Sequence, residues 1–148
     1  MSGPHAKRFS FAAVFALVVA AASCATPPTT PSHYAPFSQT DLIIGTGPSV
    51  ASGNLITVNY TGWFYDPSQP NNQGLQFDTS IGTTPFSFTV GTGSVIAGWD
   101  QGIIGMQTGG TRRLIVPPSL AYGQTRSGPV PANTTLVFDI TLLAINSQ

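Results

Sequence analysis

Few side chains after residue 40 could act as an acid, a base or a nucleophile. The two histidines, His5 and His33, lie before that point, and no cysteine, lysine or glutamate follows it. Hydroxyl groups there have no histidine or lysine to activate them, and a zinc ion would lack its usual ligands. The five acidic residues are all aspartates, and no two lie within four residues of each other. We therefore expect chemistry that needs no metal, no cofactor and no strong acid or base.

The aromatic residues are the other candidates for a functional site. The stretch SVIAGWD (94–100) places a large indole, Trp99, directly after a glycine, and Trp63 is the only other tryptophan. Nine phenylalanines are enough to supply a core. Aromatic side chains that face inward from strands are usually core packing. Trp99 is therefore either ordinary core or the floor of a pocket.

Alternating hydrophobic residues predict the strands that would position these side chains. In LITVNYTGWF (55–64), Ile56, Val58 and Tyr60 share one face, and TLVFDITLLAI (135–145) alternates in the same way. Shorter candidates are DLIIG, PFSFTVG and TRRLIVP, and the segment DPSQPNNQG reads as a loop. Only VIAGWDQGIIGM could form a helix, although each glycine there costs about 1 kcal/mol relative to alanine. The pattern predicts an α+β domain with about five antiparallel strands.

The few charged residues are also informative. Three arginines and five aspartates follow residue 25 without forming a basic stripe, which argues against a nucleic-acid partner. Asp100 is expected near the start of the helix, where the helix dipole favours an anion. We expect Arg112 and Arg113 to lie in a strand with exposed guanidinium groups. The remaining expected surface residues are Asp41, Asp66 and Asp139.

The N-terminal part predicts export. Residues 1–25 combine a basic start with an apolar run that is short for a membrane span, as in a signal peptide, and end near Cys24, the only cysteine. This junction resembles the acylated cysteine of bacterial lipoproteins, and the alternative is cleavage after Ala22 or Ala25 with soluble export. Residues 26–40, rich in Pro, Ser and Thr, predict a tether before a domain at 41–148. Both interpretations place the domain in the bacterial cell envelope, in the periplasm or lipid-anchored to a membrane.

Four stretches together carry a family resemblance. VNYTGWF, FDTS, PFSFTVGTGSVIAGWDQGIIGMQTGGTRRLIVPPSLAYG and PANTTLVFDITLL occur in order between residues 41 and 146. They resemble the FKBP-type peptidyl-prolyl cis–trans isomerases. The resemblance implies a twisted antiparallel sheet wrapped around one short helix near Gly98–Met106, with an apolar pocket between them.

The resemblance also implies roles for individual residues. Trp99 would form the base of the pocket beneath a substrate proline, Asp78 would lie at the rim near the amide, and Tyr122 would donate to a substrate carbonyl. With Phe138, these are the candidate catalytic residues. The candidate substrate-binding residues are Tyr60, Phe77, Phe86, Val95, Ile96 and Val130. The segment FDTSIGTTPF lacks an arginine that often pairs with the family's aspartate, so Asp78 is expected to be held less tightly.

The expected activity is acceleration of X–Pro isomerisation during the folding of exported proteins. Its expected partners are proline-containing polypeptides and macrolide ligands of the pocket, and no cofactor is implied. One alternative is a non-catalytic module that binds proline-containing segments on the same fold. Another is a β-rich carbohydrate-binding or adhesive module, which fits the 7% of charged residues but does not account for the ordered motifs.

Overall fold

The computed structural model describes residues 34–146. The predictions for residues 1–33, including the signal segment and Cys24, lie outside the described residues. The elements in chain order are β1 (Ser38–Ile43), β2 (Leu55–Tyr65), β3 (Gln73–Thr79), β4 (Phe86–Thr89), α1 (Ala97–Gly102), β5 (Thr111–Val116) and β6 (Leu136–Asn146). Two short 3-10 helices, of three residues each, lie at Pro70–Asn72 and Pro118–Leu120. The predicted fold class, an antiparallel sheet with one short helix, is confirmed.

All strands belong to one open antiparallel sheet in the order β1-β5-β6-β2-β3. Strand β4 pairs with the first residues of β2, and β3 pairs with its last residues, so the two short strands share one edge of the long strand. Strand β1 begins at Ser38 and therefore overlaps the end of the predicted tether. Strand β3 takes in Gln73 and Gly74, which sequence alone assigned to a loop. Within residues 34–146, no helix has the length and apolar character needed to cross a membrane.

The predicted inward residues of the two long strands lie in or against the core, although Val137, on the other face of β6, is also fully buried. In β2, Ile56 and Val58 are fully buried, and Tyr60 packs against the same core. In β6, the inward side chains Leu136, Phe138, Ile140 and Leu142 are buried at the centre of the sheet. Helix α1 covers this inner face, so the core lies between the sheet and the helix.

Helix α1 is shorter than predicted, and its glycines have a packing function. It ends at Gly102 instead of continuing to Met106, because the chain turns at Gly105, whose φ of +81° is left-handed. A Cβ atom on Gly102 would lie 2.7 Å from Leu114 Cδ2, and one on Gly98 would overlap Val116. Glycine at these positions lets the helix backbone approach β5 closely, and this contact outweighs the low helix propensity of glycine.

The prediction that Arg112 is exposed was wrong. Arg112 is only 6% exposed, because every second residue of β5 faces the core, and these residues are at positions 112, 114 and 116. The guanidinium group donates to both carboxylate oxygens of Asp41 (2.6 and 3.1 Å) and to the carbonyls of Gly102 and Ile104 (2.9 and 3.0 Å). Arg113 is also largely covered and pairs with Asp139 on the opposite face. Arg112 thus joins the edge strand β1 to the end of the helix.

Replacing Arg112 with alanine should lower the free energy of unfolding by about 1–3 kcal/mol, because buried carbonyls and Asp41 lose their donor. Urea denaturation of the two proteins measures the difference. Arg126→Ala is the matched control, since this exposed side chain makes only a long 3.3 Å bond to the Gly128 carbonyl. Equal losses in the two variants would contradict the linking role of Arg112.

Candidate active site

An open cavity of about 190 Å³ lies between the sheet and the start of α1. Its walls come from β2, β3, β4 and β6, from the loop that leads into the helix, and from the loop after β5. The lining residues are Tyr60, Phe77, Asp78, Phe86, Ser94, Val95, Ile96, Trp99, Tyr122 and Phe138. Residues far apart in sequence therefore form one mostly aromatic surface.

The indole of Trp99 lies at the centre of this aromatic set. The Tyr60 and Phe138 rings meet it edge-to-face at centroid distances of 5.1 and 5.2 Å, and Phe86 does so at 6.3 Å. The Trp99 residue is 4% exposed, and its buried Nε1–H has no hydrogen-bond partner among residues 34–146. The surrounding rings hold the indole firmly, while one side of the cluster remains open to the cavity.

A carboxylate and a phenol form the polar rim. The Tyr60 hydroxyl donates to Asp78 Oδ2 at 2.6 Å, and the Thr79 backbone N–H donates to Asp78 Oδ1 at 2.9 Å. Burial, followed by the hydrogen bond to Asp78 and the charge of Asp78, raises the pKa of the Tyr60 hydroxyl well above its ordinary value of 10.0. Tyr60 therefore remains a neutral donor that orients the carboxylate.

The second phenol, Tyr122, has a different environment. It is exposed at the rim, and its hydroxyl has no hydrogen-bond partner within the part of the chain that the structure describes. It follows the 3-10 turn Pro118–Leu120, which the Gly123 N–H closes onto the Pro118 carbonyl. The backbone is thus fixed beside a phenol that is available to a ligand.

Asp100 lies in the first turn of α1, as expected, but its main partners are outside the helix. Its carboxylate oxygens accept the backbone N–H groups of Gly91 and Gly93 at 2.8 and 2.9 Å. Both glycines have positive φ angles, of 82° and 73°, which most other residues adopt only with strain. Asp100 therefore fixes the loop that presents Ser94, Val95 and Ile96 to the cavity.

A family model described as FKBP-type peptidyl-prolyl cis-trans isomerase matches residues 47–143. The chain belongs to this family. It is 45% identical over 106 residues to FK506-binding protein 1 of Aspergillus oryzae, covering 69% of this chain and 91% of that protein. It is 47% identical over 105 residues to FK506-binding protein 4 of Chaetomium thermophilum, of which it spans 20%.

Solved structures agree with the family assignment. The FKBP-type chain superposes on AtFKBP13 with a TM-score of 0.63 and 35% identity, covering 74% of this chain and 93% of that one. It superposes on FkpA from Escherichia coli with a TM-score of 0.64 and 34% identity, covering 74% of this chain and 48% of that one. The match thus includes a small FKBP-type protein and part of a longer one.

Nine of the ten residues predicted for the FKBP-type pocket line the cavity. The exception is Val130, which is 3% exposed and packs in the core cluster, and whose backbone bonds that of Ser127. Sequence reasoning missed Ser94, whose hydroxyl lies 2.6 Å from that of Thr92. Its position directly before the apolar pair Val95–Ile96 was the only signal.

Within residues 34–146, no three His, Cys, Asp or Glu side chains come together in an arrangement that could hold a metal.

Replacing Tyr60 with phenylalanine should leave the tyrosinate absorbance measured at pH 10 unchanged, because the raised pKa keeps the Tyr60 hydroxyl protonated there. In the folded state the Tyr60 hydroxyl stays protonated at pH values above the pKa that it has in the unfolded chain. Its contribution to stability is therefore complete below about pH 10 and lost as pH rises through the folded pKa. Ultraviolet titration of the FKBP-type chain and the variant is the measurement. A smaller signal near pH 10 in the variant would contradict this hydrogen-bond arrangement.

Proposed function

We propose that this chain isomerises X–Pro bonds in polypeptides and assists the folding of exported proteins. The observation that carries the proposal is the open cavity over Trp99, in which aromatic rings form the walls and one carboxylate is the only charged group that the described part of the chain contributes. Its volume, about 190 Å³, is below the roughly 300–1,000 Å³ of sites that enclose a drug-sized ligand. A pyrrolidine ring enters such a cavity while the flanking peptide lies across its mouth.

The physical basis of the activity is the loss of amide resonance. Rotation about the X–Pro bond crosses a barrier of about 18–20 kcal/mol and takes tens to hundreds of seconds without a catalyst. The planar amide is strongly dipolar and is solvated well by water, whereas the twisted amide is less dipolar. An apolar cavity therefore destabilises the planar form more than the twisted form, and each 1.4 kcal/mol of this difference is about tenfold in rate.

Trp99, Tyr122 and Asp78 each have a separate role in this mechanism. The prolyl ring lies on Trp99, between the rings that hold the indole. The Tyr122 hydroxyl donates to a substrate carbonyl and holds that side of the peptide while the prolyl side turns. Asp78, oriented by Tyr60, faces the amide at the rim. None of these steps transfers a proton, and none of the described residues that line the cavity is a histidine, lysine or cysteine.

The refolding of a protein whose slow phase is an X–Pro isomerisation tests this function. Catalytic amounts of the full-length chain should accelerate that phase, and the acceleration should be lost when a macrolide of the FK506 type occupies the cavity. The names of the FK506-binding relatives support this choice of inhibitor. A slow phase that stays unchanged at all concentrations of the chain would refute the proposal.

We further propose that residues 1–25 direct export to a bacterial envelope and that Cys24 is lipidated there. The support is the sequence: a basic start, an apolar run and a lone cysteine at its end. Cells that express the chain and are fed a labelled fatty acid should yield labelled protein, and Cys24→Ser should abolish the label. If the wild-type chain is exported without label, cleavage near Ala22 or Ala25 and soluble export would replace this proposal.

A further inference from the structure

Among residues 34–146, Asp78 is the only charged side chain that lines the cavity. Two hydrogen bonds orient its carboxylate, one from the Tyr60 hydroxyl and one from the Thr79 backbone. A carboxylate offers about four lone-pair sites, so about half of its capacity remains for other donors. The group is also exposed to solvent and is therefore accessible to a bound polypeptide.

No cation of the described residues neutralises this carboxylate. Arg112 pairs with Asp41 and Arg113 pairs with Asp139, each at a shorter distance than 3 Å. Arg126 donates to the Gly128 carbonyl, and no lysine or histidine occurs between residues 34 and 146. The neutral Tyr60 phenol orients Asp78 without cancelling its charge. The mouth of the cavity therefore carries one uncompensated negative charge.

The side chains around this charge are neutral. Ile81, three residues after Asp78, is 60% exposed, and Phe86 and Tyr122 are also exposed at the rim. Ser94 adds a hydroxyl that is hydrogen-bonded to Thr92. A polypeptide that places its proline on Trp99 therefore meets one fixed charge, which attracts a cationic neighbour of the proline and repels an anionic one.

We propose that Asp78 is a specificity-determining residue, which makes this isomerase favour prolines flanked by lysine or arginine over prolines flanked by aspartate or glutamate. The inference rests on the proposed isomerase function and adds a class of substrate to it. Exposed ion pairs contribute about 0.2–1 kcal/mol, so kcat/KM for a lysine peptide should exceed that for a glutamate peptide by roughly 1.4-fold to fivefold. Salt should reduce the ratio, because 1 M ionic strength screens charges beyond about 3 Å.

The test compares the full-length chain on two sets of short peptides, which carry lysine, glutamine or glutamate either directly before or directly after one proline. Glutamine is the neutral reference of similar length. We expect the order lysine, glutamine, glutamate in kcat/KM for at least one set, and a ratio close to one in Asp78→Asn. Equal rates across both sets, or an unchanged ratio in Asp78→Asn, would overturn the inference.

A second pair of variants decides the question if Asp78→Asn is inactive. Ile81 does not line the cavity, and its backbone N–H donates to Thr79 Oγ1, next to Asp78. Ile81→Arg adds a cation beside Asp78, and Ile81→Gln is its neutral control. We expect the preference to shrink in Ile81→Arg and to persist in Ile81→Gln, whereas equal preferences in the two would overturn the inference. No acceleration of any peptide by the wild-type chain would instead refute the isomerase function itself.

Discussion

Replacing Trp99 with alanine should lower the free energy of unfolding by about 3–5 kcal/mol, the usual cost of truncating a buried tryptophan. The indole contacts the rings of Tyr60, Phe86, Phe88 and Phe138, and the residue is 4% exposed. This loss is a large part of the 5–15 kcal/mol that stabilises a typical domain. Urea denaturation monitored by circular dichroism is the measurement.

The same substitution should lower kcat/KM by about eightfold. The three ring methylenes of a proline each contribute about 0.8 kcal/mol when fully buried, and losing half of this contact costs about 1.2 kcal/mol. Trp99→Leu serves as a second variant, because it keeps an apolar side chain in the core but removes the flat base. Trp63→Phe is the matched control, since Trp63 does not line the cavity. Unchanged kcat/KM in a folded Trp99→Leu protein would contradict the role of the indole.

Replacing Gly62 with alanine should disturb the cavity at the rings of Phe77 and Phe138. A Cβ atom at this position would lie 2.8 Å from Phe77 Cζ and 2.9 Å from Phe138 Cε1, so both rings must move. Both rings line the cavity, and overpacking of this kind costs about 1–3 kcal/mol of stability. We expect kcat/KM to fall on the order of tenfold, because small displacements of positioning groups have large effects on rate.

Thr61→Ala is the control for this second substitution. Thr61 lies on the same strand, and its side chain bonds Thr79 on the outer face of the sheet, away from the cavity. Peptide isomerisation assays on the two variants should separate them clearly. If Gly62→Ala retained full activity, the positions of Phe77 and Phe138 would not matter to the reaction.

The sequence could predict the long strands because their burial alternates with a period of two. The buried residues of β2 all lie at even-numbered positions, and those of β6 do so except Val137, which is buried on the other face. The predicted first strand begins at Asp41, three residues after the observed start of β1. The reason is that Ser38, Gln39 and Thr40 carry no hydrophobic signal and pair with β5 through their backbone. Arg112 was placed on the surface because charged residues seldom lie inside. Its burial depends on Asp41 and two carbonyls that only the fold brings together.

In the candidate site too, some features could be predicted from the sequence and others could not. Family motifs predicted the lining aromatic residues and Asp78, because each occurs at a characteristic place in its motif. They also named Val130, which is buried in the core and is not among the residues that line the cavity. Composition also did not reveal that Asp100 holds Gly91 and Gly93, since this contact folds the loop before the helix back onto the first helical turn through backbone N–H groups. Local periodicity cannot predict such contacts.

The most direct measurement is two-dimensional NMR exchange spectroscopy on a proline peptide, whose cis and trans forms give separate signals. Uncatalysed exchange takes tens to hundreds of seconds, too slow for exchange peaks to appear. With substoichiometric full-length chain, we expect exchange peaks for the wild type and weak or absent peaks for Trp99→Leu. Saturable binding of the peptide without exchange peaks would contradict catalysis by this cavity and identify a binding module. Equal exchange in the two proteins would remove Trp99 from the mechanism.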